Sequence, residues 1–143
     1  MRAAEIRRLA HQARVGPGVP VLDLCCGVAG PGRMMTAESG CRYLGIDHSA
    51  SALATARQLA GNLPCRFEQA HLPPLPEGRF EVVLLLETML AFPDKEALVR
   101  EVAGRWTGAG GSRSRSRKAD RSPGRSSTGC PPPIRSGPSI WRN

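Results

Sequence analysis

The stretch that most constrains this chain is residues 21–32, VLDLCCGVAGPG. Val21, Leu22 and Leu24 surround a single carboxylate, Asp23, in a run that reads as a buried strand. Small residues follow. Gly27, Ala29, Gly30 and Gly32 let backbone approach a ligand closely, and Pro31 suits the first turn of a helix. A buried strand that passes through a small-residue turn into a helix opens a nucleotide-binding β-α-β unit. A dinucleotide site reads G-x-G-x-x-G, whereas from Gly27 the order here is G-x-x-G-x-G. Asp23 lies just before the loop, where a carboxylate would repel a pyrophosphate but suit a ligand carrying an ammonium group.

These residues resemble motif I of the class I S-adenosylmethionine-dependent methyltransferases, whose usual form is close to VLDLGCGTGGPG. Cys25 stands where that family usually has its first glycine, Val28 where it often has Thr, and Ala29 where it has the third glycine. Each added side chain narrows the space for the cofactor. The resemblance makes Asp23, Cys25, Gly27 and Gly30 neighbours of the methionine part of S-adenosylmethionine.

In chain order, residues 5–14 place Ile6, Leu9, Ala10 and Ala13 at helical spacing, and Val15-Gly16-Pro17-Gly18 breaks that helix. A short helix over 31–38 follows the glycine loop, its N-terminal amides directed at the ligand, and Gly40 ends it. Residues 43–47 read as the second strand, finishing in a carboxylate 24 residues after Asp23. A ribose with two free hydroxyls needs a bidentate acceptor at such a strand tip. The run Gly45-Ile46-Asp47-His48-Ser49 resembles the family's motif II, which makes Asp47 the ribose-binding residue and puts His48 beside it. Ser49 caps a helix carrying Leu53, Ala56, Leu59 and Ala60 on one face, and Gly61 ends it.

Residues 65–69 form a third, short strand. The proline-rich run 70–76 is rigid and non-helical. In the family this turn often reads like QADLEALPFPDG, its acid bonding the adenine amino group. His71 occupies that position and can offer an acceptor nitrogen when neutral, or can be an ordinary surface-loop histidine. Residues 80–86 read as a fourth strand, apolar enough to be buried on both faces. Glu87, Thr88 and Met89 follow at its tip, near where the family places the transferable methyl group. Glu87 is the ionisable group there, either a catalytic candidate that orients a substrate or accepts its proton, or a solvated acid. No N-P-P-Y type motif is present, which argues against adenine-amine or glutamine targets. Asp94 caps a last helix with Leu98, Val99 and Val102.

The net charge of +8 invites a nucleic-acid reading until it is divided. Residues 1–104 hold eleven basic and eleven acidic residues, so the excess belongs to residues 105–143, with nine basic residues and one acid, Asp120. The five cysteines show no C-x-x-C pair and no metal-ligand spacing, so no zinc site is expected, and the apolar settings of four of them suit a reducing cytoplasm. No apolar run reaches membrane-spanning length.

The resemblance stops near Arg105, where the family continues through L-x-P-G-G and three further strands. From 107 the Gly, Ser, Pro and Arg content predicts a disordered basic tail. A reading-frame shift is the favoured origin. In chosen GC-rich codons, Ser112 to Lys118 reads from the third base as Ala-Phe-Ala-Leu-Thr-Glu, a good strand. The expected fold is therefore α/β, a Rossmann-like doubly wound parallel sheet truncated after the fourth strand, with residues 1–106 as the core. The expected function is a cytoplasmic S-adenosylmethionine-dependent methyltransferase with a small-molecule acceptor, impaired in this chain and prone to self-association along the open sheet edge. Two alternatives are a nucleic-acid binder or RNA methyltransferase fragment, whose basic tail lacks the aromatics that stack on bases, and an NAD-binding oxidoreductase fragment.

Overall fold

The computed structural model of the protein describes residues 1–108. The elements are α1 (Ala3–Gln12), β1 (Pro20–Leu24), α2 (Gly30–Ser39), β2 (Arg42–Asp47), α3 (Ala50–Ala60), β3 (Cys65–Gln69), β4 (Val82–Leu84) and α4 (Lys95–Arg105). A single 3₁₀ turn, Met89–Ala91, precedes α4. The strands form one parallel sheet in the order β3-β2-β1-β4. This is the Rossmann-like α/β arrangement the sequence predicts. Chain direction across the sheet reverses between β1 and β4, which opens a crevice at the C-terminal ends of those strands.

Strand alternation sorts the core into two faces. Val21, Tyr43 and Phe67 point to the side where Ile6 of α1, Met35 of α2 and Leu53 and Ala56 of α3 are buried in one apolar cluster. Leu22, Leu24, Leu44 and Ile46 point the other way and are fully buried, as is Leu98 of α4. Caps set the helix ends as expected. Ser49 accepts from the Ala52 amide and Asp94 from the Ala97 amide at 2.8 Å, while Gly40 and Gly61 end their helices with positive φ. On the surface α1 is tied to α2 by the exposed pair Arg7 and Glu38, 2.9 Å apart.

The fourth strand departs from its expected length. Its ladder with β1 runs from Val82 to Leu84, not over 80–86, with one further bond in which the Glu81 amide donates to the Pro20 carbonyl at 3.0 Å. Leu86 lies past the register position of the last β1 residue, Leu24. Burial on both faces is also corrected: Val82 and Leu84 are buried, whereas Val83 and Leu85 are only half-buried. The outer edge is not wholly open. Phe80 forms a parallel bridge with Trp106, donating to the Arg105 carbonyl and accepting from the Thr107 amide at 2.9 Å. The expected tail, the frame shift and Cys130 fall on residues that, from 109 onward, lie outside the described residues.

One glycine decides how α2 seats on the sheet. A Cβ at Gly32 would overlap the ring and hydroxyl of the fully buried Tyr43. Alanine in a helix normally gains about 1 kcal/mol over glycine, whereas overfilling a packed core costs roughly 1–3 kcal/mol. Gly32→Ala should therefore lower stability by at least about 1 kcal/mol in urea denaturation of the full chain. A variant as stable as the parent would show that the Tyr43 ring is free to move aside.

Candidate functional site

The loop between β1 and α2 is held open by backbone conformation. Cys25 has φ 59° and Ala29 has φ 54°, both in the left-handed region that glycine occupies readily. These are the two positions where the sequence departs from glycine, and the conformation is kept although each side chain costs about 1 kcal/mol there. Gly27 is left-handed as well, at φ 54°. Ties to the second strand fix the loop: the Cys26 amide donates to the Ile46 carbonyl at 3.0 Å, and the Gly27 amide to Asp47 Oδ2 at 2.8 Å. A Cβ added at Gly27 or Gly30 would meet nothing within 4 Å. Packing against the described residues does not require glycine at these two places, and the space beside them is available to a ligand.

Two hollows flank this loop. One, of about 340 Å³, is lined by Asp47, His48, His71, Leu72 and Phe92 together with Cys25. The other, of about 360 Å³, is lined by Asp23, Gly30, Pro31, Leu86 and Glu87, again with Cys25. Cys25 thus stands at the junction of both. A larger hollow of about 550 Å³ lies at the opposite end of β4, between Arg14, Glu81, Val83 and Trp106. None of the candidate residues lines it.

Of the candidate residues, Asp23, Cys25, Gly30, Asp47, His48, His71 and Glu87 line one or other of these hollows, while Gly27 lines neither and is tied to Asp47 through its amide. Asp47 is buried at the tip of β2, and its Oδ1 accepts from the Ser49 amide at 2.9 Å. His48 Nδ1 lies 3.4 Å from the same oxygen. The exposed rings of His48 and His71 face each other with centroids 6.0 Å apart and planes at 29°. Glu87 is exposed beyond β4 with φ 62°, a further left-handed residue on the same crevice. Beside it lies Thr88, whose Oγ1 is buried.

Asp23 is the deepest of these groups, 3% exposed, and accepts a 2.5 Å hydrogen bond from the Tyr43 hydroxyl at Oδ2. Burial pushes its carboxyl up to about 6; the Tyr43 bond pulls the other way, and the Asp47 charge adds a smaller upward push. Cys26 is pushed up to about 12, by burial first and then by the charges of Asp23 and Asp47, so it stays a thiol. Burial likewise pushes the Cys25 thiol up. Among the described residues no three His, Cys, Asp or Glu side chains gather to hold a metal ion. Tyr43 and the wall residues Leu86 and Phe92 are the site neighbours that sequence reasoning missed. A signal for Tyr43 was present, since it shares a strand face with Gly45, the residue that registers opposite Asp23.

Known proteins resemble this chain in sequence and in fold. The methyltransferase domain family matches residues 21–111, more than half of the chain. The chain belongs to that family. It is 30% identical over 109 residues to phosphoethanolamine N-methyltransferase 1 of Arabidopsis thaliana, covering 73% of this chain and 22% of the relative. Sterol 24-C-methyltransferase of Schizosaccharomyces pombe is 26% identical over 66% of this chain and 26% of its own length. The chain thus spans about a quarter of the curated relatives it matches. Among solved structures, a SAM-dependent methyltransferase from Geobacter sulfurreducens in complex with S-adenosyl-L-homocysteine superposes with a TM-score of 0.66 at 19% identity, over 74% of this chain and 45% of that one. Coclaurine N-methyltransferase, bound to N-methylheliamine and the same product, gives 0.68 at 19% identity, over 73% and 32%. At these identities the structural likeness shows the fold.

The raised pKa of Asp23 carries a stability consequence with a defined sign. The folded chain holds this proton more tightly than the unfolded one, so the stabilisation is full below about pH 4 and is lost as pH rises through 6. Asp23→Asn cannot ionise and can still accept from Tyr43. Its stability relative to the parent should rise between pH 4 and pH 7 by about 2–3 kcal/mol, at roughly 1.36 kcal/mol per pKa unit. Urea denaturation at the two pH values checks this, and a constant difference would rule it out.

Proposed function

We propose that residues 1–106 form the S-adenosylmethionine-binding core of a methyltransferase that acts on a small-molecule acceptor. The observation that carries this reading is the pair of hollows sharing Cys25 across the strand tips. A ligand with a nucleoside at one end and an amino acid at the other needs such a pair. Asp47 has lone pairs beyond those used by the Gly27 and Ser49 amides, and these are assigned to the ribose hydroxyls. His48 and His71 are assigned to the adenine edge. Asp23 is assigned to the ammonium group, opposite the first-turn amides of α2 that suit a carboxylate. Gly27 and Gly30 leave the backbone bare where the ligand would pass.

When bound, the cofactor supplies an electrophilic methyl group on a sulfonium. The chain's part is to hold the two reactants in line and keep water from them. Glu87 is assigned to the acceptor, to orient it or to take the proton it releases. The acceptor class is supported by relatives named for phosphoethanolamine, sterol and tocopherol methylation. The dinucleotide alternative has no support in the glycine order. The nucleic-acid alternative rests on the basic excess of residues 105–143, most of it beyond the described residues.

Calorimetry on the full chain tests the reading. S-adenosylhomocysteine should bind and NAD should not compete with it. Asp47→Asn loses a charged acceptor, each such hydrogen bond being worth roughly 1.5–3 kcal/mol, so affinity should fall at least about tenfold. Tighter binding of NAD, or an Asp47→Asn affinity equal to that of the parent, would overturn the assignment.

A further inference from the structure

The geometry assigns Tyr43 as a positioning residue for the amino-acid end of the ligand: its hydroxyl holds one oxygen of Asp23, leaving the other for the cavity bordered by Gly30 and Glu87. This rests on the cofactor reading above and adds to it a residue that lines neither of the two hollows. Tyr43 lies two residues behind Asp23 in register, paired with Val21, while Gly45 stands directly opposite Asp23. Gly45 has no side chain, and a Cβ there would come within 3.0 Å of the Tyr43 ring. The ring therefore leans forward over Gly45 to reach the neighbouring strand. Phe67 meets it edge-on with centroids 6.0 Å apart, and the bare backbone of Gly32 covers it from above. Held on these sides and fully buried, the ring has one place to put its hydroxyl, on Asp23 Oδ2.

The second oxygen of Asp23 has no hydrogen-bond partner among the described residues, and Asp23 lines the hollow shared with Cys25, Gly30 and Glu87. A carboxylate with one oxygen anchored and one directed outward is a preorganised acceptor for an ammonium group. The Tyr43 bond favours the ionised form of Asp23, the form that such a ligand needs. Tyr43 can keep donating, because burial first, and then the charge of Asp23, push its phenol well above the usual range. The other groups facing Asp23 are Asp47 from β2, Cys25 and Cys26 from the loop, Glu87 from beyond β4, and Met1 at the chain start. None of the described side chains gives Asp23 a cationic partner. Met1, the one residue of that lining with a cationic group, its α-amino terminus, makes no ion pair with Asp23, so the carboxylate is open to a ligand's ammonium group.

Two probes separate this role from a merely structural one. S-adenosylhomocysteine carries the amino-acid end, whereas 5′-methylthioadenosine is the same nucleoside thioether without it. In calorimetry on the full chain, Tyr43→Phe should weaken the first about tenfold at pH 7 and change the second by less than about twofold. The acid limb of S-adenosylhomocysteine binding should move to higher pH by roughly one unit, because the bond that favoured ionisation is gone. Asp23→Asn should flatten that limb, and adding Tyr43→Phe to it should change the ratio of the two affinities no further. Equal weakening of both probes by Tyr43→Phe, or an unmoved pH limb, would overturn the positioning role and leave the cofactor reading standing. Binding of neither probe by the parent chain would overturn both.

Discussion

Strand β1 is paired along both edges, and its abrupt end is the constraint on which the site depends. β2 and β4 register against it residue by residue, so their tips are delivered to the point where the chain turns at Cys25. The turn requires left-handed backbone at Cys25, Gly27 and Ala29, and only one of these residues is a glycine. The strain is modest for each residue and is repaid by the ties to Ile46 and Asp47. Were the loop to relax, the two hollows would lose the wall they share.

The two buried carboxylates show how environment separates residues of one chemical type. Asp47 accepts from two backbone amides, the usual compensation for an acid taken out of water at a strand end. Asp23 accepts from the Tyr43 phenol, and burial, only partly offset by that bond, holds its carboxyl well above the ordinary range. A buried, incompletely paired charge costs stability. Proteins keep such groups where a ligand completes them. The cost at Asp23 is thus most simply understood as the counterpart of the ammonium assigned to it.

Membership in the methyltransferase domain family and the observed strand order account for the core without any reference to residues 109–143. The bridge from Phe80 to Trp106 and Thr107 marks the point where a further parallel strand can be added to the outer edge of β4. Sequence reasoning anticipated an open edge there. Backbone pairing extends slightly further than that expectation, because α4 returns the chain to the start of β4 before the low-complexity run begins.

The sequence by itself determined the element order and the parallel architecture, because these follow from short-range signals. The apolar runs, the small-residue turn and the caps at Ser49 and Asp94 each act within a few residues of themselves. The tip positions of Asp23 and Asp47 follow from strand length alone. Only the tertiary structure decided the length of β4, since a ladder exists only where the neighbouring backbone stays in register with it. It also decided that Cys25 joins two hollows, that His48 and His71 face each other across 6.0 Å, and that Tyr43 reaches Asp23 over a glycine. Each of these is a contact between residues far apart in the chain, set by register and by space left empty, and neither is written in any local pattern.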